Sequence, residues 1–399
     1  IYSFSLNKLI LNTGPQDFIL KNISADIMSV LLTKPSFDGI LQKELAEQIE
    51  AKKKCKEKLP TWFHTPHIYY PNKLNIEQTS SETTAAYKAR LTDGKSLLDV
   101  TGGFGVDSYF FSKRITTIFH CEINKDLSEI ACHNFKVLGQ KNIECLPEDG
   151  IEFLKNSSYN FDWIYVDPSR RNDAKGKVFL LEDCLPNLPE HLPILFQKTQ
   201  NILVKTSPLL DIKLGIEALN FVKEVHVVAV QNEVKELLFV LEKEYHGSIK
   251  IRTINITQVR EETFDFELEQ EQACQVYFRE PSSYLYEPNA AVLKSGGFKS
   301  VGKSYNLAKL HPHSHLYTSD NIIDFSGRRF KVIQALPYSK KSIKSMGLTK
   351  ANITTRNFPI SVAELRKKHK IKDGGNRYLF FTKSIDDSLL VLDCEKIQN

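Results

Sequence analysis

A chain of 399 residues, 41% hydrophobic and 25% charged, is long enough for about two to four domains and apolar enough to fill their cores, which excludes a disordered or fibrous protein. No apolar run approaches the ~20 residues of a membrane span, and seven scattered cysteines without a C-x-x-C pair support neither a disulfide framework nor a zinc site, leaving the cytoplasm as the expected compartment. The net charge is only +5, but residues 326–377 hold fourteen Lys/Arg against Glu364 and Asp373, a local +12 that leaves −7 (5 − 12) on the rest.

The chain begins Ile1-Tyr2-Ser3, with no basic leader or cleavage signature; Ile1 is not an initiator Met, which leaves room for a native start upstream. Apolar residues at helical spacing, among them Ile40, Leu41, Leu45 and Ile49, predict helices over 17–32 and 37–58, the second closing on Lys52-Lys53-Lys54. A connector over 59–75 carries Trp62, Phe63, His64, His67, Tyr69 and Tyr70, aromatic residues that can line a base pocket but read better as packing. Thr79 and Glu82 have the spacing of a capping box for a helix running to about Leu91.

The most informative stretch follows, Leu97-Leu98-Asp99-Val100-Thr101-Gly102-Gly103-Phe104-Gly105-Val106-Asp107. It reads as a buried strand, a tight Gly-rich turn and a helix over 107–113, the unit that brings close backbone and a helix N-terminus to a nucleotide-like ligand. A dinucleotide reading fails because Ser108 stands where the third Gly of G-x-G-x-x-G belongs, and Asp99 suits a cationic ligand better than a pyrophosphate. Strands predicted over 115–121, 143–146 and 161–166 each end beside an acid, namely Glu122, Glu148-Asp149 and Asp167. A fifth strand over 201–205 follows, and the runs 225–231 and 236–242 lie a short turn apart, so they pair as an antiparallel hairpin.

A parallel sheet closed by one reversed strand, in this order and spacing, resembles the class I S-adenosylmethionine-dependent methyltransferases. The resemblance places Asp99, Thr101, Gly102, Gly103 and Gly105 in the first cofactor loop, Glu122 on the ribose, Asp149 on the adenine amine and Asp167 beside the transferred methyl. Gln78, Ser80 and Ser81 fall where related enzymes cover the methionine end. The family usually has Gly at position 101; the run Asp99 to Asp107 is similar to a variant found in rRNA guanine methyltransferases. In Asp167-Pro168-Ser169-Arg170-Arg171, Asp167 and the Pro168 carbonyl can accept the protons of an exocyclic amine and aim its lone pair. The usual pattern for such amines is Asp/Asn-Pro-Pro-Tyr/Phe, whose aromatic stacks on the flipped base. Here Arg170 takes that place, stacking or holding phosphate, with Arg171 beside it, and the departure puts the amine target in question. Enzymes that methylate uridine C5 need a Cys after the fifth strand, and Leu203-Val204-Lys205-Thr206-Ser207-Pro208 has none.

Beyond Glu242, alternation over 249–278 reads as strands, and Tyr286-Glu287-Pro288-Asn289 opens a helix that Gly296-Gly297 interrupts. His311, His313 and His315 share one short loop without matching ligands elsewhere, so no metal is expected. Then come a strand (329–335), helix (340–346), strand (352–357), helix (362–369) and strands (377–382 and 389–393). This tail resembles a THUMP-like domain at Arg356-Asn357-Phe358-Pro359, Glu364-Leu365-Arg366-Lys367 and Lys372-Asp373-Gly374-Gly375.

The expected architecture is therefore α/β: a Rossmann-like, mostly parallel class I sheet with one reversed strand, a helical N-terminal domain and a small α+β C-terminal domain. The expected boundaries are 1–75 (helical part and connector), 76–245 (methyltransferase domain), 246–318 (small ferredoxin-like α+β segment) and 319–399 (basic THUMP-like domain). The expected activity is methylation of RNA, tRNA or rRNA, at a base nitrogen, with S-adenosyl-L-methionine as cofactor. Arg171, Arg366, Lys367, Lys368 and Lys370 are the expected RNA contacts. Two rivals remain: a non-catalytic RNA-binding protein with a degenerate cofactor domain, and a methyltransferase for a small molecule or protein. The four strand-end acids argue against the first and the basic tail against the second; oligomeric state is left open.

Overall fold

The computed structural model describes residues 6–34, 36–170 and 180–398. Two compact units are present, residues 1–223 with 238–246 and residues 224–237 with 247–399.

In the first unit the strands are β1 (Ser96–Asp99), β2 (Thr117–Cys121), β3 (Ile143–Leu146), β4 (Phe161–Val166) and β5 (Thr199–Thr206). They lie in the order β3-β2-β1-β4-β5, all paired in parallel. Parallel strands between helices are covered on both faces, which is why Leu97-Leu98, Trp163 to Val166 and Ile202 to Val204 are unbroken buried runs. Strands β6 (Val222–Val230) and β7 (Glu233–Glu242) are neighbours, joined by Gln231 and Asn232 at φ 51° and 63°. Two residues at positive φ make a tight turn between antiparallel strands; the reversed strand is thus β7, whose later residues border β5 in the first unit.

The N-terminal region is helical, with two differences from expectation. The 17–32 stretch is not one helix: Thr13–Lys21 ends, and Asp26 caps a new helix, Ile27–Leu31, by accepting from the Ser29 N–H. The next helix starts at Gln42, not at Phe37, and runs to Lys58. Its Lys52 is not a solvated end charge; it is buried, donating to the Phe63 carbonyl at 2.7 Å and to the Tyr70 hydroxyl at 3.3 Å. The aromatic connector packs, with Trp62 fully buried 4.9 Å from the Tyr109 ring. Nor do Thr79 and Glu82 form a capping box. Ser81 caps the helix Glu82–Arg90, while Glu82 accepts from the Thr61 N–H and hydroxyl at 2.6 and 2.7 Å.

In the second unit, β8 (Lys250–Ile256) lies parallel to β6 and antiparallel to β9 (Glu261–Glu267). A seven-stranded sheet follows, built from β10 (Tyr284–Pro288), β11 (Ala308–Lys309), β12 (Tyr317–Ser319), β13 (Gly327–Pro337), β14 (Asn352–Thr355), β15 (Arg377–Lys383) and β16 (Leu389–Lys396). Their order is β11-β12-β10-β13-β16-β15-β14. Side chains alternate across a strand: Phe380, Leu390 and Leu392 fill one core, while Leu379, Phe381 and Val391 fill another with Leu365 of the helix Val362–His369. Among the described residues no helix is long and apolar enough to cross a membrane.

Candidate active site

Where β1 ends, the backbone turns sharply into the helix Val106–Phe111, which starts on Gly105 at φ 84°. A side chain at Gly105 would be strained by that φ and its Cβ would lie 2.3 Å from the Phe135 ring. Gly102 is fixed by contact instead, since a Cβ there would fall 2.4 Å from the His120 ring. Thus both glycines shape the loop from behind. The loop faces a cavity of about 440 Å³, within the size range of small-molecule sites.

Gln78, Ser80, Asp99, Thr101, Gly102, Gly103, Glu122, Asp149 and Asp167 all line this cavity, together with Ser169. Ser81 and Gly105 do not; Ser81 is the helix cap and Gly105 lies under the turn. Arg171 and the Arg170 side chain lie outside the described residues, and the backbone of Ser169–Arg170 pairs antiparallel with Cys184–Leu185.

Each acid has its own environment. Asp99 is 1% exposed and accepts from the Ser108 hydroxyl at 2.6 Å and the Thr101 N–H at 3.1 Å. Burial outweighs these bonds and pushes its carboxyl up to about 7. Glu122 accepts the Gly103 N–H at 2.8 Å on one oxygen and the Asn124 N–H at 2.7 Å on the other. A carboxylate has about four acceptor positions, so each oxygen can take a further donor. Asp149 caps the helix Gly150–Asn156 through one oxygen, which accepts from the Ile151 and Glu152 N–H groups at 2.8 and 3.1 Å. Asp167 forms an ion pair with Lys205, and its N–H donates to the Thr101 hydroxyl at 2.8 Å.

Several residues here were not singled out from sequence. Asp107 accepts the hydroxyls of Ser80 and Tyr165, both at 2.8 Å, and pairs with the buried Lys88. Ile123, 69% exposed, lies beside Glu122 on the cavity wall, and Ile151 also lines it. Leu185 and Pro186 add apolar surface near Ser169. Lys205 had a visible signal: a cation ending the buried run Ile202-Leu203-Val204, where the other strands end in acids.

The second unit holds Arg366, Lys367, Lys368 and Lys370. Lys367, Lys368 and Lys370 are exposed, and Lys368 lies 5.2 Å from the Tyr338 ring. Arg366 points inward, donating to the carbonyls of Ala351 and Ile371 at 3.2 and 3.4 Å and pairing with Asp373. The helix Lys340–Ser345 adds exposed Lys340, Lys341 and Lys344. His311 bonds Asn357 at 3.0 Å, and His315 stacks on Phe298 with ring centroids 3.5 Å apart.

Residues 284–325 match a ferredoxin-like domain family and residues 327–396 a THUMP domain-like family. An uncharacterised S-adenosylmethionine-dependent methyltransferase of Mycobacterium tuberculosis is 22% identical over 302 residues, spanning 74% of this chain and 80% of that protein. An uncharacterised RNA methyltransferase of Mycoplasma mobile is 25% identical over 246 residues, 56% of this chain and 60% of its own. The crystal structure of a candidate methyltransferase from Porphyromonas gingivalis W83 is 32% identical, covers 100% of both chains and superposes with a TM-score of 0.91. The chain therefore belongs to the family of class I S-adenosylmethionine-dependent methyltransferases that carry a C-terminal THUMP-like domain.

Proposed function

We propose that this methyltransferase acts on RNA, tRNA or rRNA, at a base nitrogen. The observation that carries the reading is the exposed Lys367, Lys368 and Lys370 in the THUMP-like part of a chain that also holds the cofactor cavity. Cations presented to solvent in one domain neutralise phosphates of a polyanion. The similarity to an RNA methyltransferase from Mycoplasma mobile points the same way. The domain boundaries at 75, 245 and 318 belong to this reading.

The cavity fits S-adenosylmethionine through its own features. Asp99 is a buried carboxylate whose ionised form needs a cation, which the amino group of the ligand provides. The backbone at Gly102 and Gly103 permits close approach. Glu122 has acceptor capacity for two ribose hydroxyls, Asp149 keeps one oxygen for the adenine amine, and Ile123 and Ile151 are apolar walls for the ring. Gln78 and Ser80 reach the methionine end. The bound cofactor supplies an electrophilic methyl on sulfur. At the acceptor side, Asp167 takes a proton from the nucleophile, the Pro168 carbonyl helps to orient it, and Arg170 and Arg171 hold phosphate or stack.

The test is transfer of labelled methyl from S-adenosylmethionine to total RNA of a strain lacking the gene. Label that nuclease releases supports the reading. Label found only in protein or small molecules in the same extract overturns it.

A further inference from the structure

Asp167 and Lys205 follow directly on paired positions of adjacent strands. Val166 lies opposite Val204 in the parallel register of β4 and β5, so the next residues stand side by side, about 4.8 Å apart along the sheet. Their side chains meet as an ion pair, with Lys205 only 14% and Asp167 31% exposed. The Thr101 hydroxyl holds the Asp167 backbone from the other side at 2.8 Å. The acceptor end of the site is thus a fixed pair of opposite charges, not a lone carboxylate.

That pair selects among nucleophiles. An exocyclic amine gains positive charge as its bond to the methyl forms, and a carboxylate alone stabilises it. An ammonium in the same place works against it. The reverse holds for an acceptor that gives up its proton: negative charge is left on an oxygen, and a fixed cation stabilises it where it develops. An opposite charge within about 4–6 Å also favours the ionised form of an acidic group. The partial burial of Lys205 strengthens both effects, because the local dielectric is lower than that of water.

We infer that the acceptor is a group that loses a proton and carries the resulting charge on oxygen. Two sources in RNA share that chemistry: the lactam edge of guanine or uracil, and a ribose hydroxyl. The inference rests on the RNA reading above. In the step, the N–H or O–H bond breaks and its proton passes to Asp167. The released pair forms the new bond to the methyl carbon, whose bond to sulfur breaks with its pair left on sulfur. Lys205 acts as a positioning residue for Asp167 and as the counter-charge.

Two measurements test this. Total RNA from a strain lacking the gene is methylated by the full chain, digested to nucleosides and analysed by mass spectrometry. Methyl on guanine N1 or uracil N3 identifies the lactam source, and methyl on ribose oxygen identifies the hydroxyl source; either supports the inference, and the second overturns the base-nitrogen part of the reading above while leaving its RNA part standing. Methyl on an exocyclic amine, on adenine or on carbon overturns it and leaves the RNA reading standing. No label in RNA overturns both. Lys205→Met should cost about 10²-fold in turnover near neutral pH, the size of a lost oxyanion stabiliser, and with a lactam acceptor the loss should shrink toward alkaline pH as the acceptor ionises unaided. Lys205→Arg keeps the charge and should stay near wild type. With a lactam product, a loss in the folded Met variant that is equal at all pH values overturns the assignment; with a ribose product, an undiminished rate in the folded Met variant overturns it. Should the Met variant not fold, the Arg variant and the product identity still decide.

Discussion

The ammonium of Lys88 lies 3.2 Å from a carboxylate oxygen of Asp107, and neither group reaches bulk water freely: Lys88 is fully buried and Asp107 is 11% exposed. Asp107 also accepts from Ser80 and Tyr165, so one acid joins the helix Glu82–Arg90, the helix Val106–Phe111 and β4. Taking two charges out of water is costly, and their attraction offsets that cost only while both are present. Lys88→Met should therefore destabilise the chain by about 3–5 kcal/mol. Lys88→Met combined with Asp107→Leu should recover much of the loss. Chemical denaturation of the single and double variants checks this, and equal losses in both would refute the pairing argument.

Glu122 contributes charge-assisted hydrogen bonds, each worth about 1.5–3 kcal/mol. With its proposed role at the ribose, Glu122→Ala should weaken S-adenosylmethionine binding by about ten-fold or more, since about 1.4 kcal/mol is a factor of ten. Calorimetry reads the affinity. Unchanged binding by a folded variant removes Glu122 from the cofactor site.

Asp99 makes stability depend on pH. Its carboxyl is raised from an ordinary 3.8 to about 7 by burial. Between those values the folded chain keeps a proton that the unfolded chain has released. Stability therefore falls as pH rises through that window and levels off above about 7. Asp99→Asn, which cannot ionise, should flatten this slope in cofactor-free protein. Melting midpoints across the window compare the two. Because a cationic ligand favours ionised Asp99, cofactor affinity should tighten with rising pH over the same range in wild type only.

In the basic domain, Arg366 and its neighbours separate by environment. Lys367, Lys368 and Lys370 changed together to Ala should weaken RNA binding and reduce the salt slope by about two to three, at roughly 0.7–0.9 per phosphate contact. Arg366→Ala should instead lower the melting temperature, because it leaves the Ala351 and Ile371 carbonyls and Asp373 without their donor. Filter binding at several salt concentrations and thermal denaturation distinguish the effects; an unchanged salt slope in the triple variant excludes those lysines as phosphate contacts.

Asp167→Asn keeps the size of the side chain but loses the charge. As the proposed proton acceptor, Asp167 acts in the transition state, so turnover should fall by about 10²-fold or more with little change in cofactor affinity. Single-turnover methylation of RNA, alongside calorimetry, checks both halves. Full activity in the variant would make Asp167-Pro168 a structural turn.

Much of the fold is legible in the sequence wherever burial writes a simple pattern. Strands β3 and β4 and the helix Val362–His369 coincide with their expected limits; β4 is marked by the apolar run Trp163 to Val166, and the helix is held at its start by a Ser361–Glu364 capping box. The break at residues 22–25 is not legible, because apolar residues such as Ile23 continue the helical spacing through it. The role of Glu82 is not legible for a different reason: its partner Thr61 is twenty-one positions away, and a local capping rule cannot see it. At the site, the strand-end acids could be read one at a time. The pairing of Asp167 with Lys205 could not, because it depends on β4 and β5 being neighbours, which is a property of topology.

The bond from the Asp167 N–H to the Thr101 hydroxyl has a mechanical consequence. A glycine at position 101 would offer no such link. Here the glycine-rich loop after β1 and the Asp167 turn after β4 are tied at 2.8 Å, so the two turns are held to one spacing. In-line transfer tolerates little error, and a misplacement of about 1 Å can cost about 10²-fold in rate. Under the proposed roles of the two turns, a single hydroxyl therefore links the cofactor loop to the proton-accepting turn.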